Sequence, residues 1–358
     1  MSFIMSQKLA LKVSLKQAEK ARLFLLDNFL LDNNFELTKD KSNIYFPLTV
    51  LKKEQKKEVR KKFPDAAFVE AKLKARSLRP RTLKDALKGK LSKKEFDSFI
   101  SSYDTVGTIA ILEIPEELEK KEKLIAKTLL DLHRNIKTVC KITGAHQGEF
   151  RIQPVEVLAG QRTTETLHKE KGCLFKTDVS KAFFSPRLSH ERERISKLIK
   201  KDEIVGAFFA GVGPYPIIFA KHSKMKKAYA IELNKDAVEF MKENIALNKV
   251  QDKVEAILGD VNIEAKKFPN FFNRIVMPLP RDAEHFLDAA FYSIKSGGVI
   301  HFYQFVDKDD PYTLPLKRIK KSAEKFKKKV KILRKAEVRS FSASKIQVVI
   351  DFAVDSIF

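Results

Sequence analysis

The chain has 358 residues, 44% of them hydrophobic, which suits two or three domains with their own cores. Seventy Lys and Arg against 46 Asp and Glu leave a net charge of +24, a surplus that favours a polyanionic partner, and no stretch is apolar for long enough to cross a membrane as a helix. Two cysteines, Cys140 and Cys173, are too few for a disulfide framework and form no paired metal-ligand spacing, so reduced thiols, a cytoplasmic setting and no metal are expected.

The first residues, "MSFIMSQKLALKVSL", lack the apolar core and cleavage site of a signal peptide. Residues 8–50 read as strand, amphipathic helix, a turn at Asp32-Asn33-Asn34 and short strands, with alternation in "NIYFPLTV". The charged stretch 51–64, "LKKEQKKEVRKKFP", is expected to be a linker or exposed helix, closing a first unit at 1–64. A second, α+β unit is expected over 65–180. It holds the strand "TVGTIAILEIP" (105–115), the amphipathic helix "EELEKKEKLIAKTLLDLHRNI", the strand "KTVCKI" and β-like alternation from 144 to 180. Two stretches concentrate the charge: residues 72–94 hold ten basic residues and one acid, and residues 317–335 hold eleven and one. Both are suited to neutralising phosphates along a nucleic acid, or to serving as solvated faces.

From 181 to 358 the pattern becomes repeated strand–helix units, the signature of a doubly wound, Rossmann-like parallel sheet. "EIVGAFF", "KAYAIEL", "VEAILGD", "RIVMPLP" and "GGVIHFYQF" read as its strands, and Asn234 as an N-cap. The turn after the first strand, "FFAGVGPYPI", places Ala210, Gly211, Val212, Gly213 and Pro214 where a backbone can approach a ligand closely. Glu232 with Leu233 ends the second strand, where a carboxylate grips ribose hydroxyls. Asp260 with Val261 follows the third, positioned for an adenine, and Pro278 and Pro280 follow the fourth. A dinucleotide site would want a third glycine where Pro216 stands, so the pattern favours S-adenosylmethionine over NAD.

With these stretches in view the chain resembles the archaeal and eukaryotic tRNA (guanine-37, N1)-methyltransferases over nearly its whole length. The most specific matches are "GEFRIQPVEVLAG" (148–160), "FKTDVSKAFFSPRLSHERERI" (175–195), "FAGVGPYPI" and "GGVIHFYQF". The resemblance departs at Ala207, where the family often has aspartate. It implies a small tRNA-recognition domain, a middle RNA-binding domain and a methyltransferase domain, acting as a monomer on tRNA, with tRNA-Phe the expected substrate. It also implies Glu191 as the base that takes the guanine N1 proton, Arg151 as the cation on O6, and a phosphate contact for Arg192. On spacing alone Glu191 has another role, pairing with Arg187 or Arg194 on its helix. His190, beside it, is read as structural. Phe184 is assigned to the cofactor or the target base, with core packing as the alternative for it and Phe183.

Where many family members begin the fourth-strand motif with asparagine, this chain has Pro278, followed by Leu279 and Pro280. Proline donates no hydrogen bond. Archaeal members similar to this variant also methylate 4-demethylwyosine at C7, and the "MPLP" lip implies the same second activity here. Two rival readings are an aminocarboxypropyl transferase of the wyosine pathway and a non-catalytic RNA-binding protein.

Overall fold

The computed structural model describes residues 5–75, 80, 82–144 and 152–356. The chain divides into two compact units, Met1–Arg81 and Thr82–Phe358.

In the first unit, β1 (Met5–Ser14), α1 (Ala18–Asp27), β2 (Thr38–Lys39), β3 (Asn43–Pro47), α2 (Lys53–Lys62) and β4 (Ala67–Lys74) follow in chain order. The sheet order is β2-β3-β1-β4, and its neighbouring strands run antiparallel. One expectation holds and one changes here. The charged stretch after residue 50 is the helix α2, exposed along most of its length as expected, and it is anchored by Val59 and by Phe63 after it, which are buried in the core with Leu11, Leu25 and Phe46. The unit does not, however, stop at 64. The strand after Pro64 returns to pair with β1, Lys12 opposite Ala67 through Met5 opposite Lys74, and carries the unit to Arg81.

The second unit begins with α3 (Leu83–Leu87), α4 (Lys93–Ser98), β5 (Tyr103–Val106), β6 (Ile109–Leu112), α5 (Glu122–Leu132), β7 (Thr138–Ile142) and β8 (Val155–Gly160). Thr82 and Ser92 cap the first two helices by accepting from the backbone N–H of Asp85 and Glu95. β5-β6-β7-β8 form a four-stranded sheet, with β6 and β7 parallel. The stretch 105–115, expected as one strand, is a hairpin: Gly107 takes φ +55, and an added Cβ would lie 2.2 Å from Thr166 Oγ1. Next come β9 (Glu165–Glu170) and β10 (Cys173–Asp178), a two-stranded ribbon.

The remainder is α6 (Ser189–Leu198), β11 (Ile204–Phe208), α7 (Pro214–His222), β12 (Lys227–Glu232), α8 (Lys235–Leu247), β13 (Val254–Leu258), α9 (Val261–Glu264), β14 (Phe272–Met277), α10 (Leu287–Ser293), β15 (Ile294–Asp307), α11 (Thr313–Lys325), β16 (Lys328–Ser340) and β17 (Lys345–Ser356). The sheet order is β13-β12-β11-β14-β15-β17-β16, parallel through β15 and antiparallel thereafter. Helices from successive crossovers cover it and complete two apolar cores, one containing Ile217, Val238 and Met241, the other Leu287, Phe291 and Ile319. The expected α/β doubly wound domain is therefore present. The chain leaves β11 for β12 on one side and returns to β14 on the other, and the crevice where strand order reverses is where such sheets bind ligands.

Candidate active site

At the end of β11 the backbone turns sharply. Phe209 holds φ +58, uncommon for a bulky residue, and Gly211 and Gly213 hold +55 and +87. The two glycines differ in purpose. A Cβ on Gly211 would meet only the Phe183 carbonyl, at 3.5 Å. A Cβ on Gly213 would press to 2.9 Å from Met241 Cγ and 3.0 Å from Ile217 Cδ1, so this glycine lets α7 start close against α8.

The next strand ends beside this turn. Glu232 Oε2 accepts from Gly211 N at 2.7 Å, and its Oε1 accepts from Asn234 N at 2.9 Å. Burial pushes the carboxyl above its ordinary value, and the backbone N–H donors only partly oppose that. Asn234 in turn caps α8, accepting from Asp236 N, while its Nδ2 donates to the Lys181 carbonyl at 2.7 Å. Asp260 caps α9, accepting from Asn262 N at 2.7 Å.

These ends open on a cavity of about 520 Å³. Among the expected site residues, Phe184, Ala210, Gly211, Pro214, Glu232, Leu233, Asp260, Val261, Pro278, Leu279, Pro280 and Arg192 line it. Val212 and Gly213 do not. Val212 is buried with Ala182, Ala237 and Phe240, and Gly213 serves the helix contact just described, so both are packing residues. Phe184 stacks obliquely on His168 and Phe175, so it packs against the core as well as lining the cavity. Arg151 lies outside the described residues.

Glu191 sits on α6 between Leu188 and Arg192, both on the cavity wall, but is itself 3% exposed and absent from that wall. Arg194 Nε and Nη2 donate to its two oxygens at 2.9 and 2.8 Å, and the Tyr303 hydroxyl donates at 2.6 Å. Burial pushes the carboxyl up, but these donors outweigh it and leave Glu191 below the ordinary glutamate value, hence ionised. The same-helix pairing with Arg194 is thus present. Arg194 is shared: its Nη1 also donates to Asp351 at 2.6 Å. Asp351 holds His301 Nδ1 at 2.6 Å, and His301 Nε2 meets Arg274 Nη1 at 2.7 Å. Burial lowers the pKa of His301, so the neutral ring donates from Nδ1 and accepts at Nε2. Asp351, despite burial, is held at about 2 by His301 and Arg194. One guanidinium therefore serves two buried carboxylates, and Glu191 has only part of a counter-charge.

The phosphate contact expected of Arg192 does not fit its surroundings. It is 1% exposed, forks onto Glu170 at 2.7 and 2.6 Å, and donates to the Ser185 carbonyl at 3.0 Å. Its charge is spent fastening α6 to β9, and it shapes the cavity between the Phe184 and Tyr215 rings.

Several wall residues escaped the sequence reading: Phe209 packed edge-on against Phe286, Tyr215, and Phe305, Arg339 and Phe341. The alternation in "KVKILRKAEVRSF" and the β-branched run in "KIQVVIDFAV" signalled β16 and β17, which carry Arg339 to the site.

The cavity geometry is accompanied by close relatedness to known proteins. Residues 166–333 match the TRM5/TYW2 methyltransferase domain, residues 83–163 the TYW2 N-terminal domain and residues 10–54 the tRNA methyltransferase 5 N-terminal domain. The chain is 38% identical over 349 residues to the tRNA (guanine(37)-N(1))-methyltransferase Trm5b of Pyrococcus abyssi, covering 97% of this chain and 99% of that one. It is 33% identical over 257 residues to the tRNA (guanine(37)-N(1))/4-demethylwyosine(37)-methyltransferase Taw22 of Nanoarchaeum equitans, covering 57% of this chain and 84% of that one. The solved complex of aTrm5 and tRNALeu superposes with a TM-score of 0.82 at 33% identity, covering 96% of this chain and 99% of that one.

Proposed function

The chain belongs to the TRM5/TYW2 methyltransferase family, and we propose that it transfers a methyl group from S-adenosylmethionine to N1 of guanine 37 in tRNA. The observation that carries this reading is the cavity at the sheet's switch point, with Glu232 and Asp260 on its wall and an ionised, under-compensated Glu191 behind it.

The residues fit the cofactor. Backbone N–H groups reach both oxygens of Glu232, and the carboxylate keeps acceptor capacity for a ribose hydroxyl. Gly211 leaves the turn open to close approach, and Asp260 and Val261 offer a polar and an apolar contact for the adenine. When bound, S-adenosylmethionine supplies a sulfonium-activated methyl group.

Guanine N1 carries a proton at neutral pH, so its attack on a methyl group requires a base near N1 and a positive group at O6. In this reading a Glu191 carboxylate oxygen takes the N1 proton, and Arg151 stabilises the charge on O6. Glu191 must come to the cavity wall when RNA binds. Because Arg194 also holds Asp351, Glu191 can leave the guanidinium without stranding it unpaired. The wall around the target excludes water with apolar rings and with Pro278, Leu279 and Pro280, the last of which accepts from Phe305 N at 2.7 Å.

That lip supports a second activity, C7 methylation of 4-demethylwyosine. Pro278 and Pro280 donate nothing, so a tricyclic base meets apolar faces there rather than a fixed guanine-specific donor. We assign tRNA shape-checking to the first unit, now ending at Arg81, and backbone contacts to the basic stretch at 72–94. The protein acts on tRNA-Phe, as a cytoplasmic monomer.

The test uses methyl-labelled S-adenosylmethionine and two tRNA-Phe substrates, one with unmodified guanine 37 and one with the tricyclic precursor, with nucleoside products identified by mass. Methylated products from both are expected. Methylation of guanine alone removes the second activity, and an aminocarboxypropyl adduct replaces it with the rival transferase. No product and no cofactor binding by calorimetry would leave an RNA-binding protein.

A further inference from the structure

Arg339 on β16 stands in the cavity wall, half-buried, next to Phe305 and Phe341. Its Nε donates to the side-chain oxygen of the buried Gln347 at 2.8 Å, which fixes the guanidinium plane by its inner corner. The two terminal nitrogens have no partner among the described residues, and no described carboxylate lies within ion-pair distance. Asp104, whose charge reaches Arg339, is taken up by Arg187 at 2.7 Å. Burial, and then the like charge of Arg187, disfavour the Arg339 cation. A guanidinium kept on a cavity wall under those penalties is short of an anion, and its paired terminal N–H groups match phosphate oxygens. Beside it the Phe341 ring, 46% exposed, packs on Phe305 with centroids 4.1 Å apart, a face suited to stacking a nucleobase.

We propose that Arg339 binds a phosphate flanking the nucleotide whose base enters the cavity, with Phe341 as the stacking surface beside it. The inference rests on the reading of tRNA as substrate, and it separates this arginine from Arg192, whose fork is already filled by Glu170. A neutral base edge would leave the Arg339 charge uncompensated, whereas a phosphate neutralises it.

The test measures steady-state methylation and cofactor affinity for Arg339→Ala and Arg339→Lys, together with tRNA assembled with one neutral methylphosphonate on either side of guanine 37. Arg339→Ala is expected to raise KM for tRNA about 10-fold, with kcat within about twofold and cofactor affinity unchanged. Arg339→Lys keeps most of the affinity, since an ammonium serves a phosphate as a point charge. With the unaltered protein, one methylphosphonate weakens tRNA binding about 10-fold, and it adds no further loss to Arg339→Ala. An unchanged KM, additive losses, or a fall in kcat alone that lysine does not rescue would overturn the phosphate assignment. Failure of the unaltered protein to methylate unmodified tRNA would instead bring down the proposed function, an outcome the same assay reads separately.

Discussion

The hydroxyl of Tyr303 donates to Glu191 at 2.6 Å across 112 residues of sequence, and both side chains are buried. Removing a donor from a carboxylate raises its proton affinity. Tyr303→Phe is therefore expected to move the acid limb of kcat/KM, which reports the free enzyme, upward by about one pH unit, the worth of one hydrogen bond to a charged group. Glu191→Gln should lower kcat by about 10² to 10⁴ while cofactor affinity stands. A pH–rate profile of Tyr303→Phe that overlays the unaltered enzyme would separate the tyrosine from the base.

Arg194 compensates Glu191 and Asp351 together. Arg194→Met leaves two buried carboxylates unpaired, and a loss of about 3 to 5 kcal/mol at neutral pH is expected. The sign with pH is specific. Asp351 is depressed to about 2, so its stabilisation is present above the unfolded-state value and is lost as pH falls toward 2. Between pH 4 and pH 2 the unaltered protein loses that contribution and the variant has none to lose, so its deficit in thermal midpoint should shrink over that range. A deficit that stays constant from pH 4 to pH 2 would place the effect elsewhere.

Glu232 runs the other way. Its carboxyl is raised by burial, so its own contribution to stability is present below the unfolded value and is lost as pH rises through the folded one. Ribose hydroxyls donate best to the ionised form. S-adenosylmethionine affinity, followed by calorimetry, should rise with pH through that elevated value, and Glu232→Gln should bind more weakly with the pH dependence gone.

The two glycines of the first turn give a controlled comparison. Gly213→Ala meets both the strain of φ +87 and the Met241 and Ile217 side chains, and a loss of about 1 to 3 kcal/mol in unfolding is expected. Gly211→Ala has room at 3.5 Å and only the strain of φ +55. Its cost in stability should be near 1 kcal/mol, with the larger effect on cofactor affinity.

Pro278→Asn restores a side-chain amide to the lip. Methylation of the tricyclic precursor is expected to fall more than that of guanine, measured with both tRNA substrates side by side. Equal loss of the two would detach the lip from substrate choice.

What could be read in advance follows a physical division. β11 to β14, the glycine turn and Glu232 are set by local periodicity and by turn chemistry within a few residues, and all were legible. The partners of Glu191 were only half so: Arg194 lies one turn along its own helix, whereas Tyr303 arrives through strand order, as does the Asp351 that shares Arg194 with Glu191. Arg192 looked available because its spacing says nothing of Glu170, 22 residues earlier on β9. The break at Pro64 was real, but the following strand returns to β1, and no local pattern encodes that return. Gly213 matched a ligand turn by type, while its need is the closeness of α8.

The order of strands at the far side of the large sheet has a consequence for synthesis. β17 lies between β15 and β16, with Gly298 opposite Val354 on one flank and Lys328 opposite Ser356 on the other. It follows both neighbours in the chain, so β15 and β16 have no strand to join them until the last of the three is made. Open strand edges invite wrong pairing between nascent chains, and like charge opposes it. Lys328, Lys329, Lys331, Arg334 and Lys335 are carried by the strand that waits. The basic run that first suggested RNA thus also ends on the outermost strand of the sheet, where like charge opposes edge-to-edge pairing between copies.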